Sequence, residues 1–315
     1  MRIYISDEHK YPAKRVGERT SKRLTDLLAQ GLGELGHDVF YHLKDEILEP
    51  PPDCVKLVSK RMLDVDILQL QDIPLTGDNG ELAAQRIPWV KSFHAPFGNH
   101  EVSQINKRNW IFVSKSHAES FGCERYVYNG LDPKEFIYSE TKEDYFIFII
   151  LGLERAIFKG LGIALYLVQE LGIKLVVAGS SQNKFYEKQF AAMCQEQGIE
   201  WVGEINGQRK AELIAGAKAL LFPTMINEPF GLVAAEALIS GTPVICSNRG
   251  ACPELISPDV GFVCERYQDY ITAIENLEKI SPAVCREKAM SNFHYLKMAE
   301  GFVQEYLKEI NFYQS

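Results

Sequence analysis

The sequence predicts an α/β protein made of two doubly wound, Rossmann-like parallel-sheet domains facing each other across a cleft. Three observations carry this expectation. Short β-rich apolar runs alternate with helical stretches, which is the pattern of βαβ units. The runs fall into two sets of six, separated by a polar stretch rich in turn residues. The chain has 315 residues, enough for two ordinary domains that each bury their own core.

The first six runs are residues 2–6, 38–43, 67–71, 89–94, 110–114 and 125–128. A helix over 21–30 follows the first run. After it, Gly31-Leu-Gly-Glu-Leu-Gly36 fits the letters of a dinucleotide-binding turn. That fingerprint needs a strand before it and a helix after it. Here the order is reversed, so the glycines are expected to end the helix and turn the chain into the second strand. The junction is Asn129-Gly-Leu-Asp-Pro-Lys-Glu-Phe-Ile-Tyr-Ser-Glu-Thr-Lys-Glu-Asp144, turn residues followed by a charged tract. The second set of runs is 145–151, 174–178, 200–203, 219–223, 243–247 and 261–264. The last helical stretch, about 282–310, carries apolar Phe293, Leu296, Met298, Phe302, Tyr306 and Ile310. The expected division is therefore 1–138, 139–292, and a terminal helix, 293–315, that crosses back to the first domain.

Composition excludes several classes. Hydrophobic content of 46% and charged content of 24% are those of a soluble globular protein. No apolar run approaches the roughly 18 residues of a membrane span, and Met1-Arg-Ile-Tyr-Ile-Ser6 opens a strand at once, so a cytoplasmic location is expected. The seven cysteines form no CxxC pair and read as reduced core thiols, with no metal site implied. A net charge of −8 argues against wholesale nucleic-acid binding. Lys14, Arg15, Arg19, Lys22 and Arg23 nevertheless cluster. They read either as a solvated helix face or as a stretch, Lys14 to Arg23, that draws an anionic acceptor or a membrane surface peripherally.

The chemistry concentrates in Asn227-Glu-Pro-Phe-Gly-Leu-Val-Ala-Ala-Glu-Ala-Leu238, where a short apolar run passes into a helix. Glu228 precedes the helix, and Glu236 lies about two turns further on, so both carboxylates can serve one ligand. Between them, the backbone amides of Phe230, Gly231 and Leu232 stand at the positive end of the helix dipole, where phosphate oxygens bind. Amides for a diphosphate, flanked by carboxylates for sugar hydroxyls, describe a site for a nucleotide-diphosphate sugar.

Other segments supply matching parts. Arg155 and Lys159 lie in the turn after the run 145–151, placed to flank a diphosphate. Alone, they would read as surface cations. His94 ends a strand of the first domain, where a structural and a functional role are equally open. Gly17 follows the first strand and either lets the backbone approach phosphate or forms a turn. Ser247-Asn-Arg-Gly-Ala-Cys-Pro-Glu254 is either an ordinary βα loop or a nucleotide contact.

At this point the chain resembles the retaining GT-B glycosyltransferases of family 4, also called glycosyltransferase group 1. Glu228-Pro-Phe-Gly-Leu-Val-Ala-Ala-Glu236 fits that family's E-x7-E motif, and Val127-Tyr-Asn-Gly-Leu-Asp132 and Gly36-His-Asp-Val39 are similar to its junction and second-strand signatures. The resemblance implies that Glu236 holds the donor ribose and Glu228 the transferred sugar. Phe230, Gly231, Leu232, Arg155, Lys159 and Gly17 would meet the diphosphate, and His94 would lie beside the donor sugar. It also implies transfer with retention, no obligatory metal and no cofactor beyond the nucleotide-sugar co-substrate. The acceptor, whether glycan, lipid carrier or small metabolite, is not implied. Asp64-Val-Asp66 fits a metal-gripping D-x-D only in its letters. Two departures stand out: Leu153 occupies the place of the family's arginine, with Arg155 two residues later and Lys159 one position late, and the first loop carries one glycine, Gly17, where two are common. Two alternatives remain open, a nucleotide-sugar epimerase or hydrolase on the same fold and a non-catalytic nucleotide-sugar binder.

Overall fold

Parallel strands buried on both faces read as unbroken apolar runs, and the computed structural model shows two such sheets. It describes residues 1–6, 20–42, 47, 49–71, 86–94 and 107–315. The chain divides into two compact units, 1–132 with 293–315, and 133–292. The division falls at Asp132/Pro133, a few residues before the expected 138/139.

The first unit holds β1 (Arg2–Ser6), β2 (Asp38–His42), β3 (Val55–Val58), β4 (Ile67–Leu70), β5 (Trp89–Phe93) and β6 (Trp110–Phe112). All pairs are parallel, in the order β3-β2-β1-β4-β5-β6. Helices α1 (Thr20–Glu34) and α2 (Lys115–Ser120) accompany them. The strands differ from the predicted runs in two places. β3 has no counterpart among those runs, because an edge strand of four residues with one fully buried position, Val55, carries almost no pattern. Residues 125–128 form no strand but a single bridge, Tyr126 to Phe112; β6 is three residues long and offers no longer ladder.

Gly31 and Gly33 also act otherwise than expected. Both lie inside α1, and only Gly36, at φ +84°, makes the turn. A Cβ on Gly31 would sit 2.8 Å from the Ala299 Cβ, and one on Gly33 would sit 2.8 Å from the Cys54 sulfur. These glycines let neighbouring elements pack closely against the helix. The acid pair near β4 is structural as well: Asp64 pairs with Arg2, and Asp66 accepts the Arg2 N–H at 2.7 Å.

The second unit repeats the topology. Its strands are β7 (Phe146–Ile149), β8 (Leu175–Ala178), β9 (Glu200–Trp201), β10 (Ala219–Phe222), β11 (Val244–Ser247) and β12 (Gly261–Cys264), in the order β12-β11-β10-β7-β8-β9. Helices α3 (Leu161–Leu171), α4 (Lys184–Glu196), α5 (Gly207–Gly216), α6 (Leu232–Ile239), α7 (Cys252–Leu255), α8 (Tyr267–Glu275) and α9 (Pro282–Phe293) complete it. The strand order reverses direction between β7 and β10, and in open α/β sheets ligands bind at that switch point, beyond the carboxyl ends of the strands.

The long terminal helix is not continuous from α9. His294, at φ −69° and ψ 140°, breaks it and caps α10 (Tyr295–Gln314) with its imidazole, which accepts the Leu296 N–H at 3.0 Å. Tyr295, Met298, Phe302 and Tyr306 of α10 enter the core of the first unit with Ile3, Leu28, Val39 and Ile67. A polar clamp secures the other end. Glu309 takes Arg108 at 2.6 Å, Asn109 at 2.8 Å and Arg125 at 3.1 Å, while Glu305 takes Arg125 at 2.6 Å. All seven cysteines are free thiols, and among the described residues no helix is long and apolar enough to cross a membrane.

Candidate functional site

The loops that leave β7 and β10 diverge from the switch point, and the sequence builds both for close approach of backbone. Each leads into a helix through a left-handed glycine with no side-chain cap: Gly160 before α3 and Gly231 before α6. The Leu161 N–H that opens α3 turns back to the Ala156 carbonyl at 2.9 Å, whereas the first two amides of α6, those of Leu232 and Val233, have no intrahelical acceptor. The two loops are joined by the Met225 N–H, which donates to the Phe158 carbonyl at 2.8 Å. Any side chain on Gly160 would collide with the Pro223 carbonyl.

Glu228 and Lys159 meet across these loops as an ion pair. The Thr224 hydroxyl donates to the same carboxylate oxygen, Oε1, at 3.2 Å. Both side chains are largely withdrawn from solvent, with 20% of Lys159 and 11% of Glu228 exposed. A third loop, after β11, supports them from behind. The Ala251 N–H donates to the Glu228 carbonyl at 3.0 Å, and Gly250, at φ +55°, lies so close that a Cβ there would collide with the Glu228 backbone. Ser247 fixes the same loop through the Thr224 carbonyl at 2.6 Å.

Glu236 projects from the fifth position of α6. It pairs with Lys210, on the neighbouring α5, at 2.6 Å. Phe230 is buried and anchors the loop, so its contribution to a ligand is its backbone. Gly231 and Leu232 occupy the cap and first position of α6, as the motif requires.

The remaining expected residues are distributed differently. Leu153, in the place of the family's arginine, is fully buried. Arg155 lies in the 3-10 turn of residues 153–155 and is exposed, and no hydrogen bond or ion pair of its guanidinium occurs among the described residues. His94 closes β5 in the first unit and lines a small cavity of about 10 Å³ with Gln71, Ser92 and Asn129. Gly17, and most of the basic stretch from Lys14, lie outside the described residues; Lys22 and Arg23 are on α1. Sequence pattern alone does not reveal Lys210, Thr224 as a Glu228 partner, or the support from Gly250. Thr224 directly follows the apolar run 219–223 and so sits at a strand's carboxyl end, a position with some signal; Lys210 has no local signal at all.

Residues 136–292, close to half of the chain, match the family model described as Glycosyl transferases group 1. An uncharacterized glycosyltransferase of Methanocaldococcus jannaschii is 30% identical over 157 residues, covering 42% of this chain and 38% of the relative. The matches thus span less than two fifths of the length of the first two curated relatives. Among solved structures, AviGT4, a glycosyltransferase involved in avilamycin A biosynthesis, superposes with a TM-score of 0.76 at 21% identity, over 98% of both chains. HepE of Anabaena, solved with UDP-glucose, superposes with a TM-score of 0.66 at 16% identity, over 98% of this chain and all of that one. These likenesses carry the fold, a pair of Rossmann-like units of the GT-B kind.

Proposed function

Because residues 136–292 match the family model of the glycosyl transferases group 1, we propose that this chain is a retaining, metal-independent glycosyltransferase, moving a sugar from a nucleotide-diphosphate sugar to a hydroxyl acceptor. The observation that carries the reading is the Lys159–Glu228 pair beside the uncapped start of α6, with Glu236 just over one turn into that helix. The diphosphate lies on the amides of Phe230, Gly231 and Leu232. Lys159 swings from Glu228 to the phosphate and stabilises the charge that develops on departure. Glu228, so released, accepts hydrogen bonds from the hydroxyls of the transferred sugar, and Glu236 accepts those of the ribose. Arg155 and the loop at Gly17 add to the diphosphate contacts, and His94 contacts the donor sugar.

The bond from the sugar's anomeric carbon to the phosphate oxygen breaks as the acceptor oxygen bonds to the same face. The acceptor's proton passes to the departing phosphate. Cationic and amide donors of this kind take the charge-stabilising part that a metal plays elsewhere. HepE was solved with UDP-glucose, so UDP-linked sugars are the first donors to test.

A thermal-shift screen of UDP, GDP, ADP, TDP and their sugars checks the reading, since a ligand that binds only the folded state raises the melting temperature according to its affinity. At least one nucleotide is expected to shift it; if none does, the donor site is refuted. Glu236→Ala is expected to weaken nucleoside diphosphate by about tenfold or more, the range for hydrogen bonds to a charged group. Glu228→Ala should leave that affinity nearly unchanged and lower transfer. Conversion of donor with no acceptor present would instead identify an epimerase or hydrolase.

Gly250 gives a second expectation. Gly250→Ala forces a left-handed alanine against the Glu228 backbone, and displacing a reacting-centre group by about 1 Å costs roughly 10²-fold in rate. Initial transfer rates should fall on that scale while bare nucleoside diphosphate still binds; an unchanged rate would show that Glu228 does not act at the transferred sugar.

A further inference from the structure

Glu236 presents its two carboxylate oxygens to different surroundings. Oε2 is buried, and the Lys210 ammonium lies 2.6 Å from it. The contact is ionic rather than an aligned hydrogen bond, since among the described residues no hydrogen-bonded partner satisfies this oxygen. The 14% of the side chain that remains exposed therefore leaves Oε1 as the oxygen within reach of a ligand. Lys210 itself is only 27% exposed, unlike solvated pairs such as Lys297–Glu300, where both partners are about half exposed. Exposed pairs contribute little because water and rotamer freedom compete with them; this one is shielded, and it joins two helices.

The site therefore contains two lysine–glutamate pairs with different fates. Lys159 must leave Glu228 if it is to meet phosphate. Lys210 has no second destination of that kind, since it sits on α5, beside α6, on the buried oxygen of Glu236. We infer that Lys210 is a positioning residue that fixes the Glu236 carboxylate with Oε1 outward and so makes it a reader of ribose hydroxyls. This rests on the donor-site reading above. With the carboxylate held, the vicinal 2′- and 3′-hydroxyls donate to an oxygen already aimed at them, and no rotamer has to be selected on binding. Without the ammonium, the carboxylate is free to turn, and Oε2 is left buried with no counter-charge.

The inference separates cleanly from a general structural role. Binding of UDP, GDP and ADP is measured by calorimetry beside their 2′,3′-dideoxy counterparts, for the wild type, Lys210→Met and Lys210→Arg. Methionine keeps the aliphatic stem and removes the charge; arginine keeps the charge. The wild type is expected to prefer the ribose form of its nucleotide by about tenfold or more, the scale of hydrogen bonds to a carboxylate. Lys210→Met should bind the dideoxy form as the wild type does, while its preference for ribose shrinks to about twofold or less, as expected once the aligned hydrogen bonds are lost. Lys210→Arg should restore most of that preference.

Equal weakening of both forms would mean that Lys210 only supports the helices and would overturn the inference. So would tighter ribose binding in Lys210→Met, which would make the lysine a placeholder displaced by the ligand. If the wild type binds the nucleotide without preferring ribose, the role of Glu236 falls. If it binds no nucleotide, the donor site itself falls. Those two outcomes are distinct from a failure confined to Lys210.

Discussion

Lys159→Ala is expected to lower the rate constant of sugar transfer by about 10²–10³-fold, the usual cost of deleting one charge-stabilising group at a reacting centre. Two losses coincide. On the proposed function the departing diphosphate loses a stabilising ammonium, and Glu228, whose side chain is 11% exposed, keeps among the described residues only the Thr224 hydroxyl as a polar partner on Oε1. Lys159→Arg should recover part of the rate, because a guanidinium can engage phosphate, but its planar fork does not reproduce the compact ammonium between two loops. Arg155→Ala should cost far less, since the exposed guanidinium is held by no hydrogen bond or ion pair among the described residues. Initial rates at saturating donor decide both points. A Lys159→Ala variant within about threefold of the wild type would remove the lysine from the chemistry and leave it a loop fastener, because a lost charge stabiliser costs far more.

Glu309→Ala is expected to destabilise the first unit by about 3 kcal/mol, the low end for breaking a buried ion pair from one side. The substitution takes a carboxylate away from Arg108, leaves Arg125 only its pairing with Glu305 among the described carboxylates, and leaves the Asn109 amide with the Trp89 carbonyl. Glu309 is 1% exposed, so water does not replace it. In a unit of this size the loss corresponds to a fall in melting temperature of about 10 °C. Glu309→Gln, which still accepts from Asn109, should fall between. Thermal denaturation of the three proteins tests the order; indifference to Glu309→Ala would mean that α10 is held by its apolar face alone.

The motif around Glu228 is legible in the sequence because its logic is local. A loop carboxylate, a glycine and a helix carboxylate eight positions apart fix their own spacing, and Lys159 follows from the next strand's turn. The central strands are legible for a related reason, since Ile67–Leu70 and Ala219–Phe222 are buried at every position. What escapes the sequence depends on neighbours distant in the chain. Lys210 meets Glu236 only because α5 packs beside α6. Gly250 matters only because the loop after β11 lies against the Glu228 backbone. Gly31 and Gly33 resemble a phosphate turn in their letters and are spacers for Ala299 and Cys54 in the fold. The displaced arginine is visible in the sequence, but its consequence is not. Leu153 turns inward to fill the core, which leaves Arg155 on the outside of the turn.

The two crossings between the units carry a consequence for synthesis. Leu131 and His294 form a bridge, with the Leu131 N–H donating to the Phe293 carbonyl at 2.7 Å and the Tyr295 N–H donating to the Leu131 carbonyl at 3.0 Å. The second unit is therefore an insertion within the first, entered and left at one point. Tyr295, Met298, Phe302 and Tyr306, which complete the core beside β1 and β4, leave the ribosome only after the whole insertion has been made. At roughly 5–20 residues per second, that is a delay of about 10–30 s. The unit translated first is the one that finishes folding last, and through that interval the sheet face that α10 shares with α1 waits only partly covered.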